Sequence, residues 1–595
     1  MYMVFEFWTL KVLKQHHHFL RSKINTSDFF LVWWSVRDLI LWLTKSPDDI
    51  DFTMAWNPLE LYDTINKEWL SHFITEKFWT ITLIPQDQKW NNNIKYELTP
   101  LRAETWYWDF RHPEEIFWSD DLLLDYQRRD FSINAMYYTT QNLKAPSHEK
   151  EKLINEETIL TILKKEGFIY LENYETLIIQ DKKLLSQCFP KGKTDKDFLY
   201  YLLDIQQYGY LLDGELKPSD EKKHIDLHII IDPALGLQDI YYKKLQTVGD
   251  PDARFQEDAL RLLRALRFVN VINEKLQNLN KDKPSDPKNK MKIFDFEVET
   301  WKAIKRNHEL LKNIAKERIR EELIKAFTKG NPFALVWLID EAEMLPIIFP
   351  ALALTKHVDQ PIRYHPFDVY THILLTVYHL QQINPNYLVR FAMLYHDVWK
   401  VGQYAEYQKN LSREEIRKVL SWPLNHRYSS AVFAKEDFSK LGFSHKEIEE
   451  IEWYIKEHHT PWEILQANPV NREKKLRKML SESWYERVNN LLDINIADRL
   501  GMYNPLQNAG DLSDSWYLKE LLAEINEKEG QFTAKDLAVN WKDIMEYFHL
   551  QPWKLVWELL NVGLDWVLWD IENRNKAKHI YANLANYLKN KEDAH

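Results

Sequence analysis

LVWWSVRDLILWLTKSPDDIDFT, residues 31–53, decides the reading of the fold. An apolar, aromatic run feeds a short helical pattern, a polar break at Lys45–Asp48 follows, and a strand pattern then carries Asp49 and Asp51. Residues two apart on a strand share a face. Two carboxylates so placed can hold a pair of Mg²⁺ ions, one activating a hydroxyl nucleophile and one binding a triphosphate leaving group. A lone DxD pair is as often a solvated turn, so its surroundings have to decide.

Working outward, DFFLVWWSV, FWTITLI and IKYELTPLR alternate with helical stretches and predict a small α/β head ending near Tyr138. Glu97 in YELTPLR is a candidate third carboxylate on a neighbouring strand. RHPEEIF and DLLLDYQRRDFSINAMYY follow, bringing Arg128, Arg129 and Asp130, although an isolated RRD can be a surface salt bridge. Residues 141–228 are rich in Lys and Glu, carry no recognisable motif and read as an insertion of unassigned role. From Ile231 onward the pattern is almost wholly helical, interrupted by the polar segment KLQNLNKDKPSDPKNKMK.

In EDALRLLRALRF, Asp258 and Arg261 lie three apart, a spacing that shares a helix face, and together they offer the acceptors and donors that a nucleobase edge needs. An amphipathic helix with ion pairs is the plainer alternative. Arg264 and Arg267 read as braces for the helix or as phosphate contacts. Further on, His372, the pair His396–Asp397 and Asp498 supply imidazoles and carboxylates suited to a divalent cation. His426, with His458 or His459, could add ligands for a second metal or a phosphate. The HHH at 16–18 has no carboxylate or cysteine companion and reads as a solvated helix face.

These segments, in this order, resemble the class II tRNA nucleotidyltransferase (CCA-adding enzyme) and poly(A) polymerase family with a C-terminal HD domain. Ser35, Val36, Arg37 and Asp38 match the family's xVRD helix start, with Trp33 and Trp34 at the two preceding glycines. The resemblance implies catalytic Asp49, Asp51 and Glu97, with Mg²⁺ on the two aspartates. It implies nucleotide binding by positions 33 and 34, Ser35, Arg37, Arg128, Arg129 and Asp130, and base selection by Asp258 and Arg261. His372, His396, Asp397 and Asp498 follow the H…HD…D order of HD phosphohydrolases, whose metal is not identified by the sequence.

The implied fold is α+β: a nucleotidyltransferase head with a mixed β-sheet, followed by an all-α neck, body and HD domain. The expected divisions are an N-terminal extension (1–28), head (29–140), insertion (141–228), neck and body (229–350), HD domain (355–510) and helical tail (511–595). The implied reaction adds the 3′-terminal CCA to tRNA from CTP and ATP without a template. CCA addition is preferred because residues 111–131 retain the loop region that CC-only enzymes shorten. The alternatives are an HD phosphohydrolase with an inactive RNA-binding head, and an A-adding enzyme or poly(A) polymerase.

Composition adds two constraints. A net charge of −11 confines any RNA-binding patch to a local stretch, the best candidate being the basic run from Asn273 to Lys329. The lone Cys188, the absence of a long apolar run and the lack of a secretory signal point to a membrane-free, cytoplasmic protein. The chain also has 24 tryptophans and only 13 glycines in 595 residues, where glycine alone is usually about 7%. Trp33, Trp34, Trp42, Trp399, Trp541, Trp553 and Trp557 fall in segments where the family favours glycine. The pattern implies a gene in which UGA encodes glycine but has been read as tryptophan. Two indoles in a phosphate cradle would fill it, since backbone N–H groups must approach the phosphates closely.

Overall fold

The computed structural model describes residues 16–17, 19–20, 29–41, 43, 49–54, 70–75, 80–85, 94–104, 116–118, 122–144, 168–171, 176–179, 199–202, 224–280, 293–360, 366–403, 426–502, 512–551 and 554–592. They fall into two compact units, residues 1–314 and 315–595. Among the described residues no helix is long and apolar enough to cross a membrane.

The first unit is built on a mixed sheet. Strand β1 (Phe29–Val32) leads directly into helix α1 (Trp33–Ile40). Strands β2 (Asp49–Met54), β3 (Leu70–Thr75), β4 (Thr80–Pro85) and β5 (Lys95–Pro100) follow, and β2 and β5 run parallel. A small hairpin, β6 (Arg102–Glu104) with β7 (Ile116–Trp118), stands apart from the main sheet. Helix α2 (Leu122–Gln127) and a 3₁₀ turn (Ser132–Asn134) lead into β8 (Tyr137–Lys144).

Strands β9 (Phe168–Leu171), β10 (Thr176–Ile179), β11 (Leu199–Leu202) and β12 (His224–Ile231) come from the motif-free stretch and its end. The sheet order is β3-β4-β5-β2-β1-β8-β12-β11-β10-β9, with β8 and β12 paired antiparallel from Tyr137↔Ile231 to Lys144↔His224. Strands β9 to β12 therefore prolong the head's own sheet.

Alternation along β2 and β5 sorts the side chains. Ile50, Phe52, Tyr96 and Leu98 are buried and form an apolar face. His16 and His17 pack there: His16 Nδ1 lies 3.0 Å from the Tyr96 hydroxyl, and the His17 ring meets Phe52 and Tyr138 at 6.4 and 6.0 Å. The expected solvated face at 16–18 is thus corrected for these two residues, both buried. Their imidazoles join the apolar side of the sheet, and burial pushes the His16 pKa down to about 4. His18 lies outside the described residues.

Helix α3 (Gly236–Tyr242) precedes the two-residue strand β13 (Lys244–Leu245), which pairs in parallel with β14 (Asp295–Phe296). Helices α4 (Pro251–Glu257), α5 (Leu260–Asn280) and α6 (Val298–Asn307) complete the unit. A Cβ on Gly236 would stand 2.4 Å from the Ser132 carbonyl oxygen, so only glycine lets α3 seat on the 3₁₀ turn.

The second unit is helical: α7 (Lys316–Lys329), α8 (Pro332–Glu341), α9 (Val369–Ile383), α10 (Tyr387–Tyr395), α11 (His426–Lys440), α12 (His445–Glu457), α13 (Thr460–Leu465), α14 (Pro469–Glu482) and α15 (Tyr485–Gly501). Helices α16 (Ser513–Glu529), α17 (Trp541–Phe548), α18 (Lys554–Val567) and α19 (Ala577–Glu592) follow. The last three share an apolar core of Ile544, Val556, Leu559, Leu560, Ile580 and Leu584. An α/β head followed by helices to the C-terminus bears out the expected α+β class.

Helices α9 and α15 approach closely where a Cβ on Gly501 would fall 2.3 Å from Thr376 Oγ1 and 3.0 Å from its backbone nitrogen. Gly501→Ala is expected to force this pair apart at a cost of about 1–3 kcal/mol. Thermal unfolding should show a lowered midpoint for the second unit.

Candidate functional site

In the first unit the parallel register sets Asp49 opposite Lys95 and Asp51 opposite Glu97. Asp51 and Glu97 thus occupy one face of adjacent strands, the arrangement expected of two metal-binding carboxylates. The side chains of Asp49, Trp33 and Trp34 lie outside the described residues. Ser35, fully buried at the start of α1, accepts a hydrogen bond from the Asp51 amide at 3.2 Å, tying the helix start to the acidic strand.

The RRD segment is held by a carboxylate that sequence reasoning did not single out. Asp125, buried on α2, accepts from Nε and Nη2 of Arg128 at 2.9 and 2.6 Å. Its other oxygen accepts from Nε and Nη2 of Arg129 at 3.0 and 2.5 Å and from the Tyr137 hydroxyl at 2.7 Å. Burial alone would raise the Asp125 pKa, but the two guanidinium groups outweigh it and hold the carboxyl well below the usual range. The signal was present in the spacing, since an acid three and four residues before two arginines can fork both. The loop at 111–115 lies outside the described residues.

Asp258 and Arg261 are near one another but not on one helix. Helix α4 ends at Glu257, Asp258 adopts an extended conformation (φ −140°, ψ 99°), and α5 starts at Leu260. The continuous helix expected from EDALRLLRALRF is therefore broken at its second residue. The Asp258 carboxylate accepts from the Leu260 amide at 3.1 Å, as a side chain at a helix start does. Arg261 donates to Glu257 Oε2 at 2.8 Å and to the Arg128 carbonyl at 2.9 Å, so the candidate base-reading arginine rests on the RRD segment. Arg254 likewise donates to the Gln127 carbonyl.

In the second unit α9, the end of α10 and α15 converge. His372 Nε2 lies 3.3 Å from Asp397 Oδ2 and 3.1 Å from Asp498 Oδ1, while His396 Nε2 lies 3.4 and 3.3 Å from the same atoms. Lys400 pairs with Asp397 at 2.5 Å. The donor atoms of His372, His396 and Asp498 lie within 4.8 Å of one another, as do those of His426, His458 and His459. His426 Nε2 approaches Asp397 Oδ1 at 3.9 Å, so Asp397 stands between the two groups. All four H…HD…D residues are thus brought together, and His458 and His459 both belong to the second group.

Two buried atoms fit the site to a metal. Asp397 Oδ1 and His458 Nε2 have no hydrogen-bond partner among the described residues, and an orphaned donor set of this kind is what a cation satisfies. Burial opposes charge on His396, but the Asp397 and Asp498 carboxylates prevail and lift its pKa to about 10. Burial lowers His426 to about 4, burial with the neighbouring His459 and His396 lowers His458, and burial with the Arg427 and Lys400 charges lowers His459. Neutral imidazoles are the ligand form.

Beside this site Trp399 is buried, and its indole Nε1 finds no hydrogen-bond partner among the described residues. Trp337, Trp462, Trp484, Trp516, Trp541 and Trp557 are instead exposed. Tryptophan is highly buried on average, so these side chains do not serve as core.

Three family models match the chain: the poly A polymerase head domain over 29–150, the probable RNA and SrmB-binding site of polymerase A over 294–355, and the HD domain over 369–502. Residues 29–150 are thus similar to poly(A) polymerase heads, and residues 369–502 to HD domains. A CCA-adding enzyme of Lactobacillus helveticus is 26% identical over 297 residues, 50% of this chain and 45% of that protein. One from Bacillus pumilus is 26% identical over 235 residues, 40% of this chain and 32% of that protein. The matched segment spans less than half the length of each. A crystal structure of the Bacillus stearothermophilus CCA-adding enzyme in complex with CTP superposes with a TM-score of 0.54 at 17% identity, covering 99% of this chain and 98% of that one, a likeness of fold.

The imidazoles give the second unit a pH response. His426, His458 and His459 are neutral in the fold and take up protons when the chain unfolds below about pH 6.5, so the unfolded state binds more protons there. In chelator-treated protein these three groups should make stability fall as pH drops from about 6.5 toward 4. His426→Gln should flatten that slope in denaturant titrations at stepped pH.

Proposed function

We propose that the protein is a tRNA nucleotidyltransferase that adds the 3′-terminal CCA from CTP and ATP without a template. The observation that carries this reading is the Asp51–Glu97 ladder pair, tied through Ser35 to the start of α1, in the unit that also carries Asp258 and Arg261. Asp49 and Asp51, with Glu97, would hold Mg²⁺. The metal would lower the pKa of the tRNA 3′-hydroxyl and stabilise the departing pyrophosphate.

Ser35, Arg37, Arg128, Arg129 and Asp130 would bind the nucleotide's sugar and phosphates, and Asp258 with Arg261 would read the base edge. Positions 33 and 34 would be glycine in the natural protein, giving the triphosphate the close backbone approach that an indole denies. The neck and body would grip tRNA by shape and phosphate contacts. The division into extension, head, insertion, neck and body, HD domain and tail is retained as part of this proposal.

The HD site supports a second activity. Two groups of buried donors with Asp397 between them suit a pair of divalent cations that activate water against a phosphate ester. The metal-dependent phosphohydrolase reading therefore stands beside the transferase rather than in place of it.

Incubating tRNA that lacks its terminus with labelled CTP and ATP tests the proposal. Incorporation of both is expected from a protein with glycine at 33 and 34, with Asp51→Asn lowering the rate by about a hundredfold or more, the loss of several kcal/mol of metal stabilisation. Phosphate release without incorporation would leave only the hydrolase. Sequencing the gene should show UGA at codons 33 and 34, and UGG at both would overturn the glycine assignment.

A further inference from the structure

Two cations on α5 reach back into the head. Arg264 forks Asp130, with Nε 3.0 Å and Nη2 2.6 Å from Oδ2. Lys275 Nζ donates to Asp38 Oδ2 at 2.9 Å. From 264 to 275 is close to three helical turns, so both side chains leave one side of α5, about 16 Å apart along its axis.

Their partners are themselves connected. Asp130 Oδ1 accepts from Asn134 Nδ2 at 3.1 Å, and Asn134 Oδ1 accepts from Arg37 Nη1 at 2.8 Å. Arg37 Nε then donates to Asp38 Oδ1 at 2.7 Å, closing a ring that leaves α5 at Arg264 and returns to it at Lys275. Phe268, between the two on α5, packs under the guanidinium groups of Arg37 and Arg264 at 5.1 and 5.4 Å. The side chains of Asp38 and Asp130 are only 3% and 11% exposed, so losing a partner from either carboxylate is costly.

The ring spans the two ends of the nucleotide site. Arg37 stands on α1 with Ser35, whereas Arg261 lies one turn before Arg264 on α5. A shift of α5 along its axis would change the distance between them, and two ties three turns apart oppose both sliding and tilting. We propose that Arg264 and Lys275 are positioning residues that fix the spacing between the base-selecting start of α5 and the phosphate-binding start of α1, thereby setting base selectivity. This rests on the nucleotidyltransferase reading above.

The test measures kcat and KM for each of the four nucleoside triphosphates on a tRNA primer, using full-length chain that extends tRNA. In the Arg264→Met, Lys275→Met double variant, misincorporation of UTP and GTP relative to CTP and ATP is expected to rise roughly tenfold. KM for CTP and ATP should rise more than kcat falls, and the effects of the single variants should not add, because they share one ring. Arg264→Lys, which keeps the charge but loses the fork, should give a smaller rise in misincorporation and serves if the double variant does not fold. A folded double variant, or Arg264→Lys in its absence, with unchanged selectivity would overturn the proposal, even if kcat fell equally for all four nucleotides. Absence of incorporation by the unaltered chain would instead sink the nucleotidyltransferase reading, and this proposal with it.

Discussion

Asp51 and Glu97 stand opposite one another on parallel strands, and like charges so placed weaken a ladder unless a cation is shared between them. That constraint organises the first unit. The opposite faces of the same strands are apolar and covered by His16 and His17, which leaves the acidic face as the one on which chemistry can be built. Helix α1 holds the acidic strand through Ser35, and the Gln127 and Arg128 carbonyls supply the seat on which Arg254 and Arg261 rest. A charge-rich cluster is thus assembled from elements distant in sequence, in which Arg37, Arg128, Arg129, Arg261 and Arg264 each pair with a carboxylate.

The second unit solves a related problem with different donors. Its carboxylates and imidazoles are buried in a helical core, where an uncompensated charge is expensive. The close approach at Gly501 lets α9 and α15 bring His372 and Asp498 together, and Asp397 joins this group to the three histidines on the other side. His396 and His426 shift in opposite directions because two carboxylates face His396 and outweigh its burial, whereas at His426 burial dominates and Asp397, 3.9 Å away, does not offset it.

Much of this was legible in the sequence wherever chemistry fixes both residue type and spacing. Asp49 and Asp51 lie on one strand, Glu97 on its neighbour, and His372, His396, Asp397 and Asp498 come together, because strand alternation and helix packing act on such spacings directly. What escaped depended on backbone detail or on partners far away. The break at Asp258 is invisible in a pattern whose apolar spacing runs through it unchanged. His16 and His17 look polar by type, yet their rings pack against Tyr96 and Phe52. Residues 141–228 carry no motif because sheet-extending strands need only alternation, which their Lys- and Glu-rich flanks obscure. The Arg264–Asp130 and Lys275–Asp38 ties join residues more than a hundred positions apart, and no local pattern announces them.

Equilibrium binding of the four nucleoside triphosphates, with and without Mg²⁺, to protein carrying glycine at 33 and 34 addresses the central claim most directly. The account predicts Mg²⁺-dependent binding of CTP and ATP in preference to UTP and GTP, with the Mg²⁺ dependence lost in Asp51→Asn. Binding of all four alike, or binding that keeps its Mg²⁺ dependence without the Asp51 carboxylate, would contradict it.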